Sequence, residues 1–534
     1  MKRSSLAVVG LVVSLALVAA PASGAPAQTP KRGGTVVVAT NALAEPNCLG
    51  WLEICDPLGR AAWLEKVLAR PFVAEPDRLR NHLIERYELT TEPFTVTFRI
   101  RPEARWSDGV PVSAGDFVFA FNRYLAPGGY PDDHDLRSKI RGVRAVDAAK
   151  VRFDFRARYG DWRWLLNFPP LPRHALRGAD LGSTSLWRNR IDDPRTGRPI
   201  GSGPFLIGQW EPGTQVTLIR NPRYWGRHTS HLERIVLRFE RDSARALRAG
   251  EVDLGVVLPP APEFESDKRF TLRSTRWSVE HYQFRVRHPS HPALEDKLVR
   301  RALAYGIDRA AIARGLFGSA APPVLHSTMY KSSDRSYEPN WKVYRYRPDQ
   351  ARRLLEQAGC SRDDEIYSCA GERMRLRFFT TAGSALRERS LEIVARQLRR
   401  IGVEVETRYA PNLALFNTVL PSGEWDAVLL GYSNDIPEQV YSAFSCGRSY
   451  TGYCNRLVNA DSDQLDRIVY PSRREAVANR IDKRLAADVP TLPLFEVPIT
   501  YVVRKGLEGV VPNGFGPLTT GGTLWNAENW WLDD

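Results

Sequence analysis

The sequence predicts an α/β protein of two or more lobes, from three observations. Its 534 residues exceed what one hydrophobic core organises. The stretch from Arg375 to Arg408 reads as strand, helix and strand with short links, a βαβ unit whose strands are parallel and whose crossover is right-handed. The short apolar run Thr35 to Thr40, directly after Gly33 and Gly34, fits a strand covered on both faces.

In chain order, Lys2 and Arg3 precede an apolar run from Leu6 to Ala20, and then the small residues Ala22, Ser23 and Gly24. This is the pattern of a secretory signal peptide over residues 1–24, and the run is too short to span a bilayer. The expectation is an exported protein, periplasmic or extracellular. No cysteine precedes Cys48, so there is no lipobox and a lipid anchor has no candidate.

Phe94 to Pro102, "FTVTFRIRP", alternates with period two, and Val151 to Arg156 is also strand-like. Between them lies "ARWSDGVPVSAGDFVFAFNRYL", Ala104 to Leu125. Asp108 before Gly109 signals a tight reversal. Ser113 followed by Asp116 is a capping-box spacing, ahead of a helical face made by Phe117, Val118, Phe121, Tyr124 and Leu125. Both aspartates therefore read as structural, the cap contributing about 1 kcal/mol. Further on, "QVTLIRNPRYW" and "LERIVLRFE" read as hairpin arms separated by a long aromatic loop.

In the βαβ unit the stripe Leu391, Val394, Leu398 and Ile401 has helical spacing, and Gly402 is placed to stop the helix. A third strand, Trp425 to Ser433, is apolar enough to lie inside the same sheet. Asn434 and Asp435, just after Tyr432, then emerge at its carboxyl end, the edge where open α/β sheets bind ligands. Asp435 is the leading candidate.

The formal charge of +14 does not point to nucleic acid, because 75 basic residues are scattered among 61 acidic ones without a basic run. No G-x-S-x-G, H-E-x-x-H, Walker A or G-x-G-x-x-G pattern occurs, so the sequence offers no catalytic residue and no cofactor, and the protein reads as no enzyme. The pairs His228/His231 and His288/His291 have three-residue spacing, but Pro289 and Pro292 keep the second off a helix, and both read as loop histidines rather than metal ligands. Six cysteines form three close pairs, Cys48 with Cys55, Cys360 with Cys369, and Cys446 with Cys454. In an exported chain each reads as a short-loop disulfide, the alternative being a metal site, for which these spacings are wide.

Several of these segments together carry a resemblance. Trp106, Ser107, Asp108, Gly109, Pro111, Ala114, Asp116 and Phe119 match the W-S-D-G-x-P signature of family 5 extracytoplasmic solute-binding proteins of ABC transporters, the oligopeptide, dipeptide and nickel binders. "GSGPFLIGQWEPGTQVTLIRNPRYWG", "VRRALAYGIDRAAIARGLFG", "EWDAVLLGYSNDIP" and "KRLAADVPTLPLFE" extend it from Gly33 to about Gly506. The resemblance implies a two-lobed, type II periplasmic-binding-protein-like fold with an additional subdomain in the first lobe. It places the first lobe at 25–285 with the subdomain at about 60–200, the second lobe at 286–504, and a C-terminal return to the first lobe at 505–534. Segments near "VEHYQFRV" and "PLFEVPITYVVR" would be the hinge strands.

In peptide-binding relatives an aspartate just after the "GW" strand holds the ligand's terminal ammonium, and the matching position is Asp435. Arg285, standing where relatives carry small polar residues, and Arg387 or Arg389, at the start of the βαβ helix, are candidates for an acidic group of the ligand. Trp51 is placed to stack on ligand or to pack. The loop between Cys446 and Cys454 is similar to a disulfide loop of dipeptide-binding relatives. The shorter "DIP" after Asp435 departs from the family's pattern. The implied function is capture of peptides or similar small solutes by a monomer that delivers them to separate permease subunits in the membrane. The alternatives are a metal or metallophore binder of the same family and a secreted hydrolase.

Overall fold

A computed structural model describes residues 30–41, 61–75, 78–126, 138–181, 186, 190–227, 229–287, 290–362, 364–432, 443–447, 449–513 and 522–533. The chain enters as β1 (Thr35–Asn41), with Val36 and Val38 fully buried. Helix α1 (Ala61–Val67) leads to a four-stranded antiparallel sheet. This sheet comprises β2 (Ile84–Thr91) and β3 (Phe94–Ile100), then, after helix α2 (Ala114–Tyr124), β4 (Ile140–Asp147) and β5 (Lys150–Phe155), in the order β2-β3-β5-β4. The period-two pattern sets its buried face: Phe94, Val96, Phe98 and Ile100 on β3 and Val151, Phe153 and Phe155 on β5. That face meets Phe117 and Phe121 of α2 edge-on, with Phe98 and Phe153 ring centroids 5.3 Å apart.

The W-S-D-G stretch is scaffold in this subdomain. Trp106 is fully buried. Asp108 Oδ1 accepts from the Val110 N–H at 3.0 Å, closing the turn, while Oδ2 meets His174 Nε2 at 2.8 Å. One oxygen of Asp116 accepts from both the backbone N–H (2.8 Å) and the hydroxyl (3.0 Å) of Ser113 at the start of α2. Its other oxygen accepts from the Arg173 N–H.

The chain continues through β6 (Phe205–Glu211), β7 (Gln215–Arg220), β8 (Arg234–Glu240) and β9 (Leu254–Val257) into a long strand, β10 (Phe270–Phe284). Strands β7 and β8 are the expected antiparallel arms, and β8 pairs in parallel with β1. Helices α3 (Lys297–Gly306) and α4 (Arg309–Phe317) follow. The βαβ unit is β11 (Arg375–Thr381), α5 (Ala385–Arg399) and β12 (Glu404–Ala410), with β11 and β12 parallel. Leu391, Val394 and Leu398 are buried as the stripe predicts, and Gly402 turns the chain at φ +81°. Strand β13 (Ala427–Tyr432), helices α6 (Arg456–Arg467) and α7 (Pro471–Asp488), and a fourteen-residue strand β14 (Thr491–Arg504) complete the set.

Ten strands form one sheet in the order β12-β11-β13-β10-β14-β9-β1-β8-β7-β6. The antiparallel pair β10/β14 lies at its centre and belongs to both halves. Phe270 to Arg276 face Arg504 to Pro498, where β14 also pairs with β9; Val279 to Gln283 face Glu496 to Thr491, where β10 also pairs with β13. The register slips twice, at Arg276/Val279 between these stretches and at Glu280/His281 within the second. Pro498 and Pro493 stand opposite Arg276 and His281 at those slips. A proline cannot donate to a ladder, so a central strand tolerates it where pairing is already interrupted. The two halves of the sheet are thus joined by a ribbon whose pairing is interrupted at defined places, in keeping with a two-lobed architecture.

The ribbon is tied into the neighbouring helices by a buried cation. Arg309, 3% exposed at the start of α4, donates to the carbonyls of Leu325 and Pro493 through Nη1 and to those of Tyr344 and Trp341 through Nη2. Burial pushes this guanidinium down to about 10, and it stays charged at neutral pH.

Two of the three expected disulfides lie within the described residues. Cys360 is bonded to Cys369, and Cys446 is bonded to Cys454. Cys48 and Cys55, the third expected pair, both lie outside the described residues.

Candidate ligand-binding site

The carboxyl ends of β11, β12 and β13 point the same way, because β11 is parallel to both neighbours. This edge carries Thr381, the start of α5 and Tyr432. On one face of the sheet, Glu280 of β10 stands opposite Gly431 of β13. The Glu280 carboxylate is 3% exposed and accepts two hydrogen bonds from Arg387, from Nε at 2.9 Å and from Nη2 at 3.1 Å. Arg387 Nη1 also donates to Thr381 Oγ1 at 3.3 Å. A Cβ at position 431 would collide with Glu280 Oε1 and come within 2.6 Å of Arg387 Nη2, so this pair requires the glycine. Arg387, a candidate for an acidic group of the ligand, is paired here with a carboxylate of the chain itself.

The opposite face carries His281 and Tyr432, whose rings meet edge-on with centroids 4.2 Å apart. The Tyr432 hydroxyl donates to the Thr328 carbonyl at 3.2 Å, and burial raises its pKa. His281 is fully buried. Its Nδ1 lies 2.9 Å from Thr491 Oγ1, whose single proton is donated to the Tyr282 carbonyl. Thr491 therefore accepts from His281, which places the imidazole proton on Nδ1 and leaves Nε2 as the bare nitrogen. Burial first, and the nearby Arg387 second, lower the His281 pKa to about 3, so the ring is neutral.

The other predicted residues separate. Arg285 follows Phe284, which pairs with Ala427 at the amino end of β13, whereas Tyr432 at the carboxyl end pairs with Val279. Arg285 is thus at the wrong edge of the sheet, where its Nη1 donates to the Tyr450 carbonyl and its guanidinium lies 5.6 Å from the Trp425 ring. Sequence alone missed this because it gives the strand but not the direction in which an antiparallel neighbour runs. Arg389 is solvent-facing and forms a surface pair with Glu392 one turn on, at 3.2 Å. His291 belongs to the same remote edge as Arg285. Its Nδ1 accepts from the Ala293 N–H at 3.3 Å, leaving Nε2 to donate to the Arg373 carbonyl at 3.0 Å, so both nitrogens are in use.

Trp51, Asn434, Asp435, His228, His288 and residues 1–24 lie outside the described residues, as do Cys48 and Cys55. Among the described residues no group of three or more His, Cys, Asp or Glu side chains is arranged to hold a metal ion, and no helix is long and apolar enough to cross a membrane.

Residues 78–452 match the family described as bacterial extracellular solute-binding proteins, family 5. The chain belongs to this family. Oligopeptide-binding protein OppA of Mycobacterium tuberculosis is 28% identical over 485 residues, covering 86% of this chain and 79% of the relative. Among solved structures, the periplasmic EDTA-binding protein EppA aligns with a TM-score of 0.81 at 19% identity, over 95% of this chain and 98% of its own. Oligopeptide-binding protein AppA of Bacillus subtilis, solved with a nonapeptide, aligns with a TM-score of 0.75 at 21% identity, over 94% of this chain and 100% of its own. The architecture of this family 5 protein is therefore that of the two-lobed binding proteins.

Proposed function

We propose that this family 5 protein is the capture component of an ABC importer, exported to the periplasm or the cell exterior, that takes peptides or similar small solutes between its lobes. The observation that carries the peptide reading is the match to an oligopeptide-binding relative over most of both chains. In this reading the first lobe comprises about 25–285 with the subdomain at about 60–200 and the return at 505–534, and the second lobe comprises 286–504. The lobes close by bending the β10/β14 ribbon, and the closed form docks on permease subunits.

Ligand would lie along the carboxyl edge of β11 and β13, where an extended peptide satisfies main-chain groups regardless of its side chains. Asp435 would hold the terminal ammonium, with Tyr432, Asn434 and Trp51 around it. A disulfide between Cys48 and Cys55 would close a short loop around Trp51. Arg387 is committed to Glu280 and Thr381, so a ligand carboxylate at this point meets a neutralised pair rather than a free cation. Arg285 and Arg389 take no part.

Native mass spectrometry of protein purified without refolding weighs whatever ligand is retained. Peptide masses support the reading, and a metal chelate without peptide overturns it. The chelate reading is favoured by one observation, the alignment with the EDTA-binding protein. A hydrolase would instead turn over substrate, and among the described residues no activated nucleophile stands at this edge.

A further inference from the structure

The four-stranded subdomain touches helices α6 and α7 directly. Asp161, six residues past β5, pairs with Arg474 of α7 at 2.9 Å, and Lys139, just before β4, pairs with Asp466 of α6 at 3.2 Å. The signs are exchanged across the contact: the subdomain gives one anion and one cation, and the helices give the complements. The Gly160 N–H donates to the Asp466 carbonyl at 2.6 Å, and Arg474 Nη1 donates to the Ile468 carbonyl at 2.9 Å. Arg474 and Asp161 side chains are 6% and 14% exposed, so the centre of the contact is largely dehydrated. A Cβ on Gly160 would collide with the Arg474 guanidinium and with the Ile468 carbonyl oxygen. The glycine is therefore what allows the two surfaces to meet.

The position of this contact gives it leverage. Helix α7 runs from Pro471 to Asp488 and passes its chain into β14 at Thr491. Fourteen residues separate Arg474 from Asp488, so at 1.5 Å per residue Arg474 is roughly 20 Å along the helix from the ribbon.

We propose that Asp161–Arg474 and Lys139–Asp466, meeting over Gly160, form a latch that holds the subdomain against α6 and α7 and so biases the lobes towards the arrangement described here. Holding the lobes together in advance raises the fraction of protein in the binding-competent arrangement, and apparent affinity scales with that fraction whatever the ligand's chemistry. Lys139, Gly160, Asp161, Asp466 and Arg474 are positioning residues that tune capture without touching the ligand. The inference rests on the two-lobed fold and not on the peptide reading, and its test uses no ligand.

Val146 on β4 and Leu457 on α6 are exposed, at 48% and 60%, and suit spin labels carried on genetically encoded non-natural side chains that leave the cysteines undisturbed. Pulsed dipolar spectroscopy on the full chain should give a single distance population in the parent. Gly160→Val should lose that population in favour of a longer one. Lys139→Asp should lose part of it, and Lys139→Asp with Asp466→Lys should recover it. An unchanged distance in folded Gly160→Val overturns the latch. So does a doubly reversed variant no closer to the parent than the single. If Gly160→Val does not fold, the Lys139/Asp466 series decides the question alone.

Discussion

Arg387 and Glu280 join helix α5 to the crossing strand β10 through two hydrogen bonds at 2.9 and 3.1 Å, in a space that Gly431 leaves open. Removing one partner strands a buried charge, which costs about 3–5 kcal/mol, whereas removing both in favour of apolar groups costs far less. Arg387→Met should therefore lower thermal stability sharply, and Arg387→Met with Glu280→Leu should recover most of the loss in calorimetry. Equal losses in the single and double variants would disprove the coupling.

Gly431→Ala places a methyl group against the same carboxylate. Overpacking of this kind costs about 1–3 kcal/mol. The expected outcome is a lowered denaturant midpoint with an unchanged slope, measured by chemical unfolding.

His281 supplies a pH signature. Its folded pKa is about 3, below the ordinary value of 6.5, so as pH falls through 6.5 the unfolded chain gains a proton that the folded chain refuses. Its contribution to stability is present above pH 6.5 and is lost progressively between there and about pH 3. One proton corresponds to about 1.4 kcal/mol per pH unit. Between pH 6 and 4, His281→Gln should show a stability slope shallower than the parent's by about that amount, and equal slopes would count against the assignment.

Arg309→Met removes donors from four buried carbonyl groups at once. Orphaned carbonyls cost about 1–3 kcal/mol each before relaxation. The melting temperature should fall by more than for Arg389→Met, whose parent side chain makes only a surface pair.

Asp435→Ala tests the ammonium anchor. A charge-assisted bond contributes roughly 1.5–3 kcal/mol, so affinity for a peptide recovered from the native protein should drop by about 10- to 100-fold in titration calorimetry. An N-acetylated form of that peptide should bind parent and variant alike.

The parts of the fold that sequence made legible are those with local periodicity. β3 and β5 alternate, α5 carries its stripe, and the turn and cap around Asp108 and Asp116 follow from residues at most three apart. What was not legible depends on long-range register. Nothing near Arg285 tells that Phe284 lies opposite Ala427, at the edge remote from Tyr432. The Glu280–Arg387 pair spans 107 positions, and Arg387 alone looked like a free cation. Gly431 was the one local signal available, a glycine in an otherwise apolar strand, which often marks close approach of other groups.

The sheet's composition also bears on the order in which the protein is assembled. β14 sits between β9 and β10, at positions 491–504 of a 534-residue chain. During vectorial synthesis the strands on either side exist for roughly two hundred residues before the strand that unites them is made. Neither half can complete its hydrogen-bonded ladder until that strand is made. Such late closure across long sequence separations makes folding slow.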